Sequence, residues 1–421
     1  MLKQRNHWSE TSEELFTAHA LDGDIDADII VVGGGITGCS AALEIAKSQA
    51  KVALVEAQSI GYGGSGRNVG LVNAGLWLPP DDIIAQIGKK NGGRLISSLS
   101  KAPRDVFDLI KNYQIQCSAV QNGTLHCAHS AKGFKDLIKR HSQWQKHGAP
   151  VELLGTQEAQ NLIGTKLYYG ALLDHRAGTI NPLAYCQGLA RAAVTQGARV
   201  YEHSPIITVK RNGDLWQAIT HRGSVNAPKI LFCTNAYQDN IHQEPRAKTA
   251  IINYFQCVTS IISDEKWANI LAQGQGCWDT ASIMTSLRRS ADKRLIVGAM
   301  GAPVGFGRIL HLNWVERKLK SLFPLLGEIS LESFWHGEIA MSKNYIPKIQ
   351  KLGDQSYEIF GFSGRGIGPG TVLGAAMAKY LTTEDQAYLP MPITQNYSDR
   401  SRIGKTLLFE TASRAFHFVT R

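Results

Sequence analysis

Several features that mark other classes of protein are missing from the sequence. It has no CxxC pair and no low-complexity segment, and its seven cysteines are an odd number set mostly among apolar or small residues. That setting is typical of reduced, buried thiols, so we expect a cytoplasmic protein without disulfides. Met1–Glu14 contains no apolar run, and we expect no secretory signal. The net charge of +10 is scattered along the chain, so we expect no nucleic-acid partner.

Two local patterns have simple explanations. His126, Cys127 and His129 resemble a metal-binding group, but a single thiol without a second cluster of ligands predicts no metal site. Ala27–Ala46 is mostly apolar or small, yet it contains four glycines and Asp28. A buried strand followed by a helix explains this segment better than a membrane span does.

The strongest motif lies near the N-terminus. Asp28–Val32 has the β-branched composition of a buried parallel strand, Gly33–Gly38 matches GxGxxG, and Cys39–Ala46 has a helical pattern. A second strand is predicted over Lys51–Val55 and ends at Glu56. Strand, glycines, helix, second strand and terminal acid occur in the order of a dinucleotide-binding unit, so the sequence predicts such a site.

Each part of that unit has a physical task. Gly33 allows a tight turn, Gly35 lets a pyrophosphate approach the backbone, and Gly38 lets the helix pack on the strand. The helix N-terminus offers unpaired N–H groups and a positive dipole end to the phosphates. Glu56 can accept both hydroxyls of an adenosine ribose and would repel a 2′-phosphate, which disfavours NADP.

A second glycine-rich loop, Gly61–Gly70, follows Glu56 closely. A nicotinamide-binding unit has no evident use for it. FAD is longer and lies extended along its domain, and backbone N–H groups of such a loop can cover its pyrophosphate and ribityl chain. The loop therefore favours FAD over NAD.

With these segments the sequence resembles the D-amino-acid oxidase superfamily of FAD-dependent oxidoreductases, which includes glycine oxidase and sarcosine oxidase. The Ser65–Asn68 loop is most similar to that of the γ-glutamylputrescine oxidase branch. Gly197–Ile206 resembles the strand beside the adenine, Ala227–Tyr237 the strand that packs on the cofactor, and Gly361–Gly370 the C-terminal flavin loop. The resemblance covers residues 27 to 381.

Motif and resemblance together imply a set of FAD contacts. The expected cofactor-binding residues are Gly33, Gly35, Ile36, Thr37, Gly38, Glu56, Ala57, Ser65, Gly66, Arg67, Asn68, Ile206, Cys233, Thr234, Gly364, Arg365, Gly366, Ile367 and Gly368. Sarcosine-oxidase relatives attach the flavin through a cysteine near the segment that matches Trp335–Asn344. No cysteine follows Cys277 in this chain, so we expect FAD to be non-covalently bound.

The implied fold class is α/β and α+β, with a Rossmann-like FAD-binding domain and a discontinuous substrate domain built on a mixed β-sheet. We expect an N-terminal extension over 1–26, FAD-binding segments over 27–100, 166–240 and 335–395, and substrate-domain segments over 101–165 and 241–334. The tail over 396–421 is predicted to be helical. Its apolar residues Leu408, Ala412, Ala415, Phe416 and Val419 share one face. We expect that face to dock on the protein itself, and a membrane contact is the less favoured alternative.

The predicted chemistry is oxidation of a C–N bond of a small amine, by hydride transfer to flavin N5 with an imine as product. Flavin amine oxidation needs positioning more than acid–base groups, and the sequence shows no catalytic triad. In the glycine-oxidase branch an arginine clamps the substrate carboxylate at the position of Ile339 here. Its absence favours an amine, and an amine with a distal anionic group could place that group at Arg288 or Arg365. With Trp335 and Tyr254, these two arginines are the candidate catalytic residues.

Two other functions stay open from the sequence. Molecular oxygen is the expected electron acceptor, but a dehydrogenase of the same fold would pass electrons to a quinone or another carrier. A flavin-bound protein that serves as a binding component is the less favoured alternative. Rapid reoxidation by oxygen argues against the dehydrogenase, and flavin reduction by any amine argues against the binding component.

Overall fold

A computed structural model describes residues 2–238 and 247–420. Its strands, in chain order, are β1 (Lys3–Gln4), β2 (Ile25–Asp26), β3 (Ile29–Val32), β4 (Val52–Val55), β5 (Leu71–Val72), β6 (Thr124–Cys127), β7 (Val151–Leu154), β8 (Ala171–Asp174), β9 (Gly178–Thr179), β10 (Arg199–Tyr201), β11 (Thr208–Asn212), β12 (Leu215–Ile219), β13 (Ser224–Ala227), β14 (Lys229–Phe232), β15 (Ala250–Thr259), β16 (Gly276–Asp279), β17 (Thr285–Arg289), β18 (Leu295–Met300), β19 (Leu331–Met341), β20 (Lys348–Gly353), β21 (Ser356–Phe360) and β22 (Ile393–Thr394).

The α-helices are α1 (His7–Glu10), α2 (Ile36–Lys47), α3 (Pro80–Asn112), α4 (Ala131–Lys146), α5 (Thr156–Ile163), α6 (Pro182–Thr195), α7 (Asp264–Trp267), α8 (Phe306–Leu322), α9 (Ile367–Thr383) and α10 (Arg402–Val419). The long helix α3 is kinked at Gly88, where the backbone has φ 80° and ψ 160°. In the part of the chain described by the structure, no helix combines the length and apolar composition needed to cross a membrane.

The predicted nucleotide-binding unit forms the centre of a seven-stranded sheet, ordered β10-β4-β3-β14-β21-β20-β22. Strands β3 and β4 are parallel and every residue in both is buried, as their β-branched sequences predict. Helix α2 packs against α6 and α9 on one face of this sheet. A four-stranded sheet, β11-β12-β13-β2, covers the other face.

The second large sheet has nine strands, ordered β1-β19-β15-β18-β17-β16-β6-β8-β7. Its long central strands are antiparallel, and successive side chains point to opposite faces. Phe255 and Cys257 of β15 pack with Trp314 of α8 in one apolar core. The intervening residues of β15 face the other way, towards the seven-stranded sheet and the candidate site.

Strand pairing places some segments differently from the predicted domain division. Strand β8, assigned above to the FAD-binding part, lies in the nine-stranded sheet, and so does all of β19. Helix α3 continues through the predicted boundary at residue 100. The boundary between 240 and 241 lies outside the described residues. We propose a division that follows the two large sheets, because backbone pairing joins β8 and β19 to the substrate-side strands.

The predicted C-terminal helix is present as α10 and docks on the protein, but through a different face. Leu408 is 66% exposed and Val419 is 77% exposed, whereas Ser413 and His417 are fully buried. The His417 ring stacks on Trp314 at a centroid distance of 4.0 Å, and its Nδ1 lies 2.7 Å from His311 Nδ1. The expected docking face was therefore wrong for Leu408, Ala415 and Val419, which are exposed, but Phe416 of that face does pack on the core beside Trp314. The buried His417, which was not predicted, anchors the helix.

This histidine pair predicts a pH-dependent attachment of α10. Burial lowers the pKa of His311 to about 4 and that of His417 to about 3. Unfolded histidines bind protons near pH 6.5, so the stabilisation is complete above that pH and is lost as the pH falls towards 4. We expect amide hydrogen exchange in Arg402–Val419 to be faster at pH 5 than at pH 7.5, after correction for intrinsic rates. Protection of α10 that does not change with pH would contradict this. The control variant is His175→Gln, which removes an exposed histidine and should leave the pH dependence of exchange in α10 unchanged.

Candidate active site

A cavity of about 1190 Å³ runs between the two large sheets. Drug-sized ligands occupy pockets of roughly 300–1,000 Å³, so this cavity has room for a larger group together with a small substrate. Most of the predicted cofactor residues line it, namely Gly33, Gly35, Ile36, Thr37, Glu56, Ala57, Ser65, Arg67, Asn68, Ile206, Cys233, Thr234, Gly364, Arg365, Gly366 and Ile367. Sixteen of the predicted residues, from segments far apart in the chain, therefore lie around one cavity.

The glycines of the GxGxxG turn lie at positions where a larger side chain would not fit. Gly33 has φ +103°, a left-handed conformation, and a Cβ on Gly38 would lie 1.9 Å from the Gly33 carbonyl oxygen. Gly38 does not line the cavity, so its task is to pack α2 against β3. A Cβ on Gly35 would lie 2.7 Å from Ser65 Oγ, where the second glycine loop meets the first. The cradle at the N-terminus of α2 therefore fits a phosphate group.

Glu56 lies at the end of β4 and faces the cavity edge. Its carboxylate accepts hydrogen bonds from the backbone N–H of Gly34, at 2.6 Å, and of Gln58, at 2.9 Å. Burial raises the pKa of this carboxyl group, while those backbone hydrogen bonds lower it. A carboxylate can accept about four hydrogen bonds, so Glu56 keeps the capacity to bind ribose hydroxyls.

The second glycine loop is held in shape by Asn68. Its Nδ2 donates to the carbonyl oxygens of Gly64 and Ser65, at 3.1 and 2.7 Å, and its Oδ1 accepts from Gly70 N–H at 2.8 Å. Gly66 is buried behind the loop, and a Cβ there would lie 2.3 Å from the Gly61 carbonyl oxygen. Gly66 is therefore needed for the turn, although it does not line the cavity.

Two predicted catalytic residues, Trp335 and Arg288, lie behind this loop and do not line the cavity. The Trp335 indole donates to the carbonyl oxygen of Arg67 at 3.0 Å and packs on Trp8. The Arg288 guanidinium is 3% exposed as a residue and donates to the carbonyl oxygens of Val69 and Ile180. The expectation that they contact substrate is corrected here, because their polar groups are already used to hold the loop.

The C-terminal flavin loop reaches the cavity as predicted. Gly364, Arg365, Gly366 and Ile367 line it, and helix α9 begins at Ile367, within the predicted loop. Gly368 instead packs the helix on α3, where a Cβ would lie 3.1 Å from the Ala102 Cβ. The N-terminus of α9 therefore points its free N–H groups towards the cavity.

One face of the nine-stranded sheet forms the other wall. The residues directed at the cavity from its strands are His126, Ile252, Tyr254, Gln256, Trp278, Ser286, Met300, Gly337, Ile339 and Met341. Tyr254, a predicted catalytic residue, donates its hydroxyl to Ser286 Oγ at 3.0 Å, and burial raises the pKa of that hydroxyl. This side chain is neutral and adds a polar group to a largely apolar wall.

Gln256 was missed by the sequence reasoning. It is 0% exposed, and neither atom of its carboxamide has a hydrogen-bond partner among the described residues. Its side chain lies across Gly298 in the neighbouring strand, where a Cβ would be 2.3 Å from Gln256 Oε1. A buried amide without partners is costly, so it is a candidate to bind a polar group in the cavity. Gln256 could have been found in the sequence as a glutamine at a core-facing position of a largely apolar strand.

The remaining predicted contacts come from the ends of two strands. Ile206 follows β10, and Cys233 and Thr234 follow β14 directly, so all three lie at the carboxyl edge of the seven-stranded sheet. Ligands of open α/β sheets bind at that edge. All seven cysteines are buried and none forms a disulfide, and in the described ranges no group of three or more metal-ligating side chains occurs.

Comparison with known proteins also points to a protein that binds FAD. Residues 28–380 match the family model described as DAO, FAD dependent oxidoreductase, which is more than half of the chain. The chain is 29% identical over 395 residues to gamma-glutamylputrescine oxidoreductase of Escherichia coli strain K12, covering 91% of this chain and 90% of that protein. It is 22% identical over 327 residues to glycine oxidase of Geobacillus kaustophilus, covering 76% of this chain and 83% of that one.

Solved structures share the fold. Glycine oxidase from Geobacillus kaustophilus superposes with a TM-score of 0.72 at 18% identity, over 89% of this chain and all of the other. L-proline dehydrogenase from P. horikoshii superposes with a TM-score of 0.69 at 19% identity, over 88% of this chain and 98% of the other. The predicted fold class, a Rossmann-like domain joined to a mixed sheet, is confirmed by these likenesses.

Proposed function

The chain belongs to the DAO family of FAD-dependent oxidoreductases, and from that premise we propose that it oxidises the C–N bond of a small amine and passes the electrons to oxygen. The family and its relatives establish an enzyme that binds FAD and acts on amines or amino acids. The choice of an amine, the imine product and the acceptor are the proposed parts.

The observation that carries the choice of an amine is the apolar wall around Ile339. This residue faces the cavity, with its Cδ1 3.8 Å from the position of a Cβ on Gly364 in the flavin loop. Ile252 stands opposite it in β15, and Met341 lies two residues further along β19. A carboxylate held against these three side chains would lose water without gaining a charged partner from them, which is costly. An uncharged alkyl chain would be buried favourably there.

FAD, when bound, supplies a hydride acceptor at N5 and does the difficult chemical step. The protein's own residues position the substrate and keep water away. The two glycine loops and Glu56 are placed to hold the cofactor, and the apolar wall is placed to hold the carbon chain. No described residue of the wall is needed as a strong base, because an unprotonated amine already carries the lone pair that forms the imine.

We expect the flavin to be released by acid. The chain has no cysteine after Cys277, and the Trp335–Asn344 segment, which matches the attachment region of sarcosine-oxidase relatives, contains none. Precipitation of the purified yellow protein with trichloroacetic acid should leave the flavin in the supernatant. Yellow colour that remains in a washed pellet would contradict non-covalent binding.

Oxygen as acceptor is supported by the presence of a glycine oxidase among the relatives. The test is to photoreduce the holoenzyme without oxygen and mix it with air-saturated buffer or with an anaerobic quinone solution. The proposal expects rapid reoxidation by oxygen, with one hydrogen peroxide formed per flavin. Slow reaction with oxygen together with rapid reaction with quinone would establish a dehydrogenase instead.

A further inference from the structure

Helix α10 turns an apolar face to solvent. Its five large apolar side chains on this face are 66–77% exposed, and they are Ile403, Leu407, Leu408, Phe418 and Val419. Their spacing places them on one side of the helix, while Ser413 and His417 on the other side pack on the protein. A helix on a protein surface ordinarily shows the reverse arrangement, so this face points to a contact outside the chain.

The apolar surface continues at the start of α8. Val304 is 52% exposed and Phe306 is 74% exposed. Two residues before Val304, the Ala302 N–H lies 3.4 Å from Glu410 Oε1 in the middle of α10, so this end of α8 lies beside α10. We call Val304, Phe306 and the five residues of α10 the apolar patch. Contiguous apolar surface of this kind marks an interaction site.

The charges around the apolar patch are mostly positive. On a helical projection, Lys405 and Arg414 lie at opposite edges of the exposed face of α10. Residues 399–414 contain four basic and two acidic side chains, a net charge of +2. Exposed Lys343 adds a further cation, since Lys405 Nζ lies 3.5 Å from its carbonyl oxygen. The patch therefore combines an apolar centre with cationic edges, which suits the surface of an anionic bilayer.

A protein partner fits this surface less well. Between its two edges the exposed face of α10 has Thr411 as its one polar side chain, so it offers little directional hydrogen bonding to a specific partner. A second copy of the chain, paired about a two-fold axis, would bring the cationic edges of both helices together, and like charges oppose such contacts. A lipid bilayer requires neither directional bonds nor an acidic groove of matching shape.

The same helix also reaches the candidate active site. Phe409 lines the cavity, and Thr406 Oγ1 accepts a hydrogen bond from the Ile251 N–H of β15 at 3.0 Å. Helix α10 therefore has the apolar patch on its outer side and part of the cavity wall on its inner side. Because a helix with its side chains is about 10–12 Å across, a bilayer on the patch would lie roughly that far from the cavity.

We propose that the apolar patch docks the protein on the surface of an anionic phospholipid bilayer, with α10 lying in the plane of the interface. Phe418, Leu407 and Leu408 enter the boundary between headgroups and acyl chains, while Lys405 and Arg414 stay among the lipid phosphates. The proposal is independent of the substrate and of the electron acceptor, and it concerns only where the enzyme works.

Vesicle flotation tests the proposal with the holoenzyme. The protein is mixed with vesicles of phosphatidylcholine alone, or with vesicles in which part of this lipid is replaced by phosphatidylglycerol. At low salt, we expect partitioning into the phosphatidylglycerol vesicles to be at least about tenfold stronger, and high salt should remove most of this difference. Equal flotation with both types of vesicle, or flotation with neither, overturns the proposal.

Matched variants locate the contact on the patch. Leu408→Glu should weaken partitioning into phosphatidylglycerol vesicles at least about tenfold, because it removes apolar contact and adds a negative charge. Leu15→Glu makes the same chemical change at an 88% exposed position outside the patch, and should weaken it by no more than about twofold. Flavin absorbance and circular dichroism establish that both variants are folded. Equal losses in the two variants would show a general effect of charge and would contradict docking through α10.

The cationic edge and the alternative partners are tested separately. Arg414→Gln should weaken binding to phosphatidylglycerol vesicles but not to phosphatidylcholine vesicles, and Arg104→Gln, an exposed change on α3, should alter neither. Sedimentation velocity without lipid gives the oligomeric state. A dimer that Leu408→Glu converts to a monomer, without flotation of the parent protein, would assign the patch to a second copy and overturn the membrane proposal.

Discussion

Glu56→Ala should purify largely without FAD. In the structure the Glu56 carboxylate is held by two backbone N–H groups at the end of β4, with lone pairs left for ribose hydroxyls. Charge-assisted hydrogen bonds contribute about 1.5–3 kcal/mol each, so losing two should weaken FAD binding by one to a few powers of ten. The measurement is the ratio of flavin to protein absorbance after dialysis, followed by titration of the apoprotein with FAD.

Two further variants separate ribose binding from a general loss of structure. Glu56→Gln keeps the size of the side chain and one acceptor, so its loss of affinity should be smaller than that of Glu56→Ala. Glu152→Ala removes an exposed carboxylate on β7, and should keep full flavin content. A dialysed Glu56→Ala protein with full flavin occupancy would show that this carboxylate does not bind the ribose.

The second large effect concerns substrate choice. Glycine, sarcosine and D-alanine should reduce the flavin at least about a hundredfold less efficiently than the best amine, which corresponds to roughly 2.7 kcal/mol. The reason is that Ile339 and its apolar neighbours offer no partner to a carboxylate near the reacting carbon. Stopped-flow reduction without oxygen gives the limiting rate over the apparent affinity for each compound.

Ile339 itself can be tested in the same assay. Ile339→Arg introduces a guanidinium at the position where the glycine-oxidase branch has its carboxylate clamp, and should shift the ratio towards small amino acids. Ile339→Leu conserves volume and polarity, and should leave the ratio near that of the parent protein. A small α-amino acid as the best substrate of the parent protein would show that another residue clamps the α-carboxylate.

Most residues predicted for the cofactor site lie around one cavity, and the sequence could indicate them because the physical requirements there are local. Gly33, Gly35 and Glu56 belong to one strand–turn–helix–strand unit, where backbone conformation and close approach determine the residue type. The substrate side was less predictable. Trp335 and Arg288 point from the nine-stranded sheet to a loop distant in sequence, so only the packed structure shows that their polar groups are already bonded.

The same limit explains the residues that were missed. Arg140 and Trp278 come from a helix and a strand far apart in the chain and belong to no motif, and His126 was considered only as part of a metal-binding pattern. All three line the cavity together with Arg365 as a result of the pairing of β6 with β16, which a single sequence does not reveal. The docking face of α10 was misjudged in part for a related reason, since the buried His417 was less conspicuous in the sequence than the apolar Leu408 and Val419.

The central claim, that this FAD-dependent enzyme oxidises an amine, is tested most directly by anaerobic titration of the holoenzyme with a panel of primary amines and amino acids. We predict that at least one primary amine bleaches the oxidised flavin completely. Hydrolysis of the imine should then give one aldehyde and one ammonium ion for each flavin reduced. If only α-amino acids bleach the flavin, or if no amine does so, the account of the substrate is contradicted, although the family and the cofactor remain as established.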